Sequence, residues 1–165
     1  MKKIIFISQP INERIKNIQK NQFDFHNFIF KFSKIYSGNV ILCLHPEEKR
    51  ISKIIKKNIN SKNITFLVGT KKVFKIKNSV FVGMFSTELI KACLLGKKIV
   101  IFEIDKKITK NFILKRLNLC DVVKTSEELK TLIMKNRLKK ISLNLSRNKF
   151  SFLKGSNARL ESYLN

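Results

Sequence analysis

The sequence predicts an α/β fold, a Rossmann-like doubly wound parallel sheet of about six strands with helices on both faces. Three observations predict it. Apolar runs of strand length alternate with segments of helical period along the 165 residues. The strand-length runs are continuous rather than alternating in hydrophobicity, the mark of strands buried on both faces. Apolar residues make up 44 % of the chain, enough for a packed core and too many for a disordered basic tail. Right-handed crossovers then leave few topologies for a β-α-β-α order, and the doubly wound sheet is the natural one.

The elements follow in order. Lys3–Ser8 is an apolar strand ended by Pro10. Between Phe23 and Tyr36 the positions Phe25, Phe28, Ile29, Phe32 and Ile35 repeat with helical spacing, and Ser37-Gly38-Asn39 stops that helix. Val40–Leu44 is the second strand, and Glu47–Asn60 a helix with Ile51, Ile54, Ile55 and Ile59 as its inner stripe. Ile64–Val68 is the third strand, ending at Gly69. A basic connector leads to a fourth at Ser79–Val82, where Gly83 lets the chain turn. Thr87–Leu95 is a short apolar helix with Gly96 at its C′ position. Ile99–Ile104 is the fifth strand, Lys107–Leu117 a helix capped by Asp105, and Asp121–Val123 a short sixth strand. Thr125-Ser126-Glu127-Glu128 reads as a capping box opening a helix that carries Leu129, Leu132 and Ile133. The length suits a single domain over 1–165, with a core at 1–140 and a C-terminal helical tail at 141–165 that includes a helix at Ala158–Leu164.

Charge and cysteine content narrow the function classes. Lys+Arg number 35 against 11 Asp+Glu, a net charge of +24. The excess is mostly lysine, spread along the chain with abundant Ile, Asn and Phe, as AT-rich coding favours. Arginine, the better bidentate reader of phosphates and bases, is sparse. The expected partner is therefore anionic, including an anionic membrane surface contacted peripherally. Cys43, Cys93 and Cys120 stand apart inside apolar patterns, with no CxxC pair, and read as buried free thiols. Runs such as Ile99-Val100-Ile101-Phe102 fall far short of the roughly 20 residues of a membrane span. The apolar start lacks a cleavage site, so a cytoplasmic protein is expected.

In open parallel sheets ligands bind at the carboxyl ends of the strands, so the residues just after each strand carry the chemical information. Two groups stand out. In Leu44-His45-Pro46-Glu47-Glu48, Pro46 suits the first helical position and the glutamates the first turn. His45 then sits at the sheet's ligand edge, as a phosphate or proton donor or simply as a helix-start residue. In Val82-Gly83-Met84-Phe85-Ser86-Thr87-Glu88, two hydroxyls meet the free N–H groups of a helix start, which makes an anion site or an ordinary N-cap. Glu103 and Asp105 follow the fifth strand as sugar contacts or as loop and cap carboxylates. His26, mid-helix among aromatics, reads as structural. No GxxxxGK[ST], GxGxxG, GxSxG or HExxH motif is present, and neither a cofactor nor a metal is expected.

The IIFISQP strand, the strand-end HPEE and VGMFSTELIKACLLGKKIVIF together resemble the C-terminal, donor-binding half of GT-B glycosyltransferases. Bacterial sialyltransferases of the lipooligosaccharide and capsule type are the particular likeness. These carry an HP motif and a later Ser/Thr motif before an apolar helix ending in LLGK. The resemblance runs from about Lys2 to Val123 in motif order, and its two short motifs are the specific part. It implies that His45 contacts the phosphate of a nucleotide-activated sugar, CMP-sialic acid being favoured, and assists its departure. Ser86 and Thr87 would bind that phosphate, and Pro46 would shape the loop. Polymer-forming transferases with CDP-linked donors share a similar motif pair, which leaves base and sugar open. GT-B enzymes hold the acceptor, a glycan or glycolipid, and usually the base in an N-terminal half. The resemblance therefore implies a donor site without a base, the chain being a truncated product, one domain of a larger protein, or one subunit of a split enzyme whose partner chain supplies that half. Two other classes compete: a non-catalytic nucleotide-binding module or subunit of a split transferase, and a basic Rossmann-like nucleic-acid binder.

Overall fold

The structure, a computed structural model, describes residues 2–9, 16–49, 51–59, 61–104 and 106–139. Its six strands are β1 (Lys3–Ile7), β2 (Val40–Leu44), β3 (Ile64–Val68), β4 (Ser79–Gly83), β5 (Lys98–Phe102) and β6 (Asp121–Val123). They form one sheet in the order β3-β2-β1-β4-β5-β6, and every neighbouring pair is parallel. The chain winds outward from β1 to β3, returns to the middle, and winds the other way from β4. The expected Rossmann-like doubly wound sheet is the one observed. Its topological switch point lies between β1 and β4.

Helices α1 (Lys16–Ile35), α2 (Ser52–Asn58), α3 (Lys71–Phe74), α4 (Thr87–Leu94), α5 (Lys106–Lys110), α6 (Ile113–Arg116) and α7 (Ser126–Met134) cover the sheet. Because successive strand side chains point to opposite faces, each strand feeds two cores. Ile4, Phe6, Val40, Leu42, Val80, Val82 and Val100 pack with residues of α1, α2 and α7. Ile5, Ile7, Ile41, Cys43, Phe81, Ile99 and Ile101 pack with α3, α4 and α6. In β1, β2, β4 and β5 the continuous apolar runs exist because neither face meets water, whereas the edge strands β3 and β6 leave Val68 and Val122 exposed. On the α1 side, Phe6 meets Phe25, Phe28 and Phe32 edge-on, with centroids 6.1, 6.0 and 5.6 Å away. Phe28 also stacks on Phe102 at 3.9 Å, tying α1 to the far half of the sheet.

Several local expectations change. The helix expected over 47–60 is split into a 3₁₀ turn at Pro46–Lys49 and α2, because Glu48 turns inward rather than joining the solvated face. The basic connector contains α3, which buries Val73 and Phe74. The single helix expected over 107–117 breaks into α5 and α6 where Phe112 takes an extended conformation (φ −67°, ψ 126°) and caps α6. That break lets Leu114 reach the core. β5 ends at Phe102 rather than Ile104, and α1 begins before Phe23. Gly96 has the expected positive φ of 70°, whereas Gly83 does not. Gly83 serves close packing instead: a Cβ there would lie 3.0 Å from Leu89 Cδ1 and 3.3 Å from the Ile7 carbonyl oxygen. Pro10, the Asp105 cap and the 141–165 tail lie outside the described residues. Among the described residues no helix is long and apolar enough to cross a membrane.

Candidate functional site

At the carboxyl edge of the sheet, over the switch point, lies a cleft of about 560 Å³, within the roughly 300–1,000 Å³ usual for small-molecule sites. The ends of β1 (Ser8, Gln9) and β2 (His45, Pro46), the β3–α3 turn (Thr70, Lys71) and the start of α4 (Ser86, Thr87) line it. Four residues singled out from the sequence, His45, Pro46, Ser86 and Thr87, thus share one cavity. Gly83 lies just behind it, where its missing side chain lets Leu89 approach β1.

The α4 start is built by its cap. Ser86 is extended (φ −100°, ψ 142°), and its Oγ accepts the Glu88 N–H at 3.2 Å. The Leu89 N–H bonds to the Ser86 carbonyl at 3.0 Å. The Thr87 N–H has no acceptor among the described residues, and the Ser86 hydroxyl proton is still available to donate. A helix start of this kind favours an anion. Lys71 and Lys91 add positive charge, and Glu88 is engaged, accepting from Thr70 Oγ1 at 2.5 Å and pairing with Lys91 at 2.5 Å.

His45 is half-buried, and its Nδ1 accepts the Glu47 N–H at 3.3 Å, so it also caps its own turn. An accepting Nδ1 puts the neutral ring's proton on Nε2. Nε2–H is therefore a donor that the turn does not consume. Gln9 joins the two sides of the switch point, its Nε2 donating to the Phe85 carbonyl at 2.9 Å.

Behind the cleft sits a group that sequence reasoning missed. Glu48 is 1 % exposed. Its Oε1 accepts from Ser8 Oγ at 2.8 Å and Gln22 Nε2 at 2.5 Å, and its Oε2 from the His45 backbone N–H at 2.7 Å. Burial pushes this carboxyl above its ordinary value, against the three hydrogen bonds. Thr70, Lys71 and Lys91 were also missed. The first two follow a strand end, where the strand-end rule applied to β3 would have found them.

Glu103 does not join the cleft. It is buried beyond β5, where Lys115 and Thr109 (2.9 Å) take its Oε1 and the Lys115 ammonium holds it below the usual carboxylate value. Its role there is structural, fastening α5 and α6 to the end of β5. Cys43 lies on the cleft floor with its thiol pushed up to about 12, chiefly by burial. Cys93 and Cys120 are likewise buried and free, and burial raises them to about 11 and about 12. A thiol so raised is protonated and a poor nucleophile. His26 is depressed to about 4 by burial, and its Nε2 is buried without a partner among the described residues. Among the described residues no three His, Cys, Asp or Glu side chains converge as a metal site would require.

Compared with protein-family models and with curated proteins, the chain gives no significant match.

Proposed function

We propose that the chain is a glycosyltransferase donor-binding domain whose cleft takes the nucleoside phosphate of a nucleotide-activated sugar, with a CMP-sugar favoured. One observation carries the reading: His45 and the start of α4 line the same cavity at the switch point of a doubly wound sheet. In this reading the Thr87 N–H and the Ser86 hydroxyl donate to the phosphate, and Nε2–H of His45 donates to the oxygen that becomes the leaving group. As the bond from that oxygen to the anomeric carbon breaks, charge grows on the phosphate. Donors already aimed at it stabilise that charge without reorganising. The reaction is a displacement on the sugar and calls for no redox cofactor. Its product belongs to a surface polysaccharide or lipooligosaccharide, built on a glycan or glycolipid acceptor, and the lysine-rich surface suits contact with an anionic membrane.

A second reading is a nucleotide-binding module without catalysis of its own. It is favoured by the state of Glu88, the only carboxylate on the described cleft lining, which is tied to Thr70 and Lys91 and so is poorly placed as a base. Transfer then depends on a partner chain that carries the acceptor and base.

Calorimetric titration of wild type and His45→Ala with CMP, CDP, UDP and NAD tests both. The expected result is selective cytidine-nucleotide binding, weakened roughly 10–100-fold in His45→Ala, the range for losing a hydrogen bond to a charged group. Absence of nucleotide binding overturns the proposal. Binding to nucleic acid that is steep in salt and indifferent to His45 replaces it with a charge-driven binder.

A further inference from the structure

Glu48 gathers three parts of the chain that are distant in sequence. Its carboxylate holds Ser8 at the end of β1, Gln22 on α1 and the peptide N–H of His45 at the end of β2. Two of those three, Ser8 and His45, line the cleft, while Glu48 does not. Its neighbour Glu47 is exposed, so the inward course of Glu48 is a property of the 3₁₀ turn and not of acidic residues at a helix start in general. A buried carboxylate with no cation beside it is expensive unless its hydrogen bonds are filled. Here all three described partners are neutral donors, and no ion pair with Glu48 exists among the described residues.

From this geometry we infer that Glu48 is the positioning residue of the cleft, fixing His45 and Ser8 relative to each other from behind the ligand surface. Its bond to the His45 N–H sets where the peptide enters the turn, and therefore where the imidazole stands. Its bond to Ser8 orients the hydroxyl at the mouth of β1. The inference rests on the proposed nucleotide site for its consequence in binding, and on the hydrogen bonds alone for its consequence in geometry.

The groups facing the carboxylate are the Ser8 hydroxyl from β1, the Gln22 amide from α1 and the His45 peptide from β2. Among the described residues no charged side chain contributes to its proton affinity, and burial raises it. The other titratable groups on the turn, His45, Glu47 and Lys49, are half-buried or exposed. Glutamine at this position keeps an acceptor for the His45 N–H. Its amide can donate to Ser8 Oγ and to Gln22 Oε1, a buried atom that has no partner among the described residues. Glu48→Gln is therefore the conservative variant and Glu48→Ala the disruptive one.

The test is ¹⁵N–¹H NMR of wild type, Glu48→Gln and Glu48→Ala from pH 4 to 8, combined with CMP titration at pH 7. The imidazole Cε1–H signal is followed separately to subtract ring titration. The wild-type His45 amide is expected to move through a transition above the ordinary glutamate value, and Glu48→Gln to lose that transition. Affinity for CMP should fall at least tenfold in Glu48→Ala and stay within about threefold in Glu48→Gln. A His45 amide that does not sense Glu48 in wild type overturns the inference, whether or not CMP binds. So does a Glu48→Ala variant with unchanged Ser8 and His45 amide shifts. If Glu48→Ala does not fold, the wild-type and Glu48→Gln titrations decide alone. If wild type fails to bind CMP while the amide transition is present, the nucleotide reading fails and the positioning role stands.

Discussion

His26, partly buried, and Glu48, fully buried, are titratable groups that act on stability with opposite sign. The folded-state value of His26 is depressed from 6.5 to about 4, so its contribution is present above pH 6.5 and is lost as pH falls toward 4. By linkage the loss is on the order of 3 kcal/mol. Glu48 and Asp121 are raised by burial, so their contributions are present below the ordinary carboxylate values and are lost as pH rises. Acidification from neutral pH therefore weakens the fold through His26 while the two carboxylates oppose it. His26→Gln, which keeps a polar group but nothing that titrates, is expected to flatten the fall in urea midpoint between pH 6.5 and 4.5. An unchanged slope assigns the acid limb to other groups.

At the scale of elements, α7 depends on its cap. Thr125 is extended, and its Oγ1 accepts the Glu128 N–H at 3.1 Å. The Glu128 carboxylate reaches back to the Lys124 N–H at 2.7 Å, one residue earlier than in the standard box. The capped helix lays Leu129 and Ile133 on the phenylalanine core of α1, and Ser126 Oγ donates to the Phe28 carbonyl at 3.1 Å. Thr125 itself is exposed and packs nothing, so Thr125→Ala reads the cap alone. It should cost about 1 kcal/mol, a fall of about 3 °C in Tm for a domain of this size. A shift under about 0.5 °C would mean that tertiary packing, not the cap, holds the helix start.

Across the whole molecule, acidic residues gather in helical first turns at one edge of the sheet. Glu47, Glu48, Glu88, Glu127 and Glu128 fall in the first turns of helical segments at the carboxyl edge, where the helix dipole favours anions. Lys2 and Lys98 lie near the starts of β1 and β5, and burial, with the Lys98 charge after it, depresses Lys2. With a net charge of +24, like charges repel in the folded state more than in the expanded chain. Raising NaCl from about 20 to 300 mM shortens the Debye length from roughly 20 Å to 6 Å, and the Tm should rise by several degrees. A Tm that falls with salt would show that ion pairs such as Glu103–Lys115 outweigh the lysine repulsion.

The sequence by itself determined the sheet and the edge at which the cleft opens. Continuous apolar strands, helical stripes such as Phe25-Phe28-Ile29-Phe32 and the Thr125 cap are local signals, because burial on two faces writes itself directly into period. His45, Pro46, Ser86 and Thr87 were legible for the same reason: a strand-end rule needs only the strand. Tertiary structure decided what local pattern cannot encode. Glu47 and Glu48 are adjacent acids at one turn, yet only Glu48 finds Ser8 and Gln22, which lie 40 and 26 residues away. Glu103 also follows a strand, but Thr109 of α5 and Lys115 of α6 fold back onto its carboxylate and claim it instead of the cleft. Thr70 and Lys71 gained their place from β3 returning beside β2. Strand order and long-range hydrogen bonds bring these residues together, and neither is a function of sequence spacing.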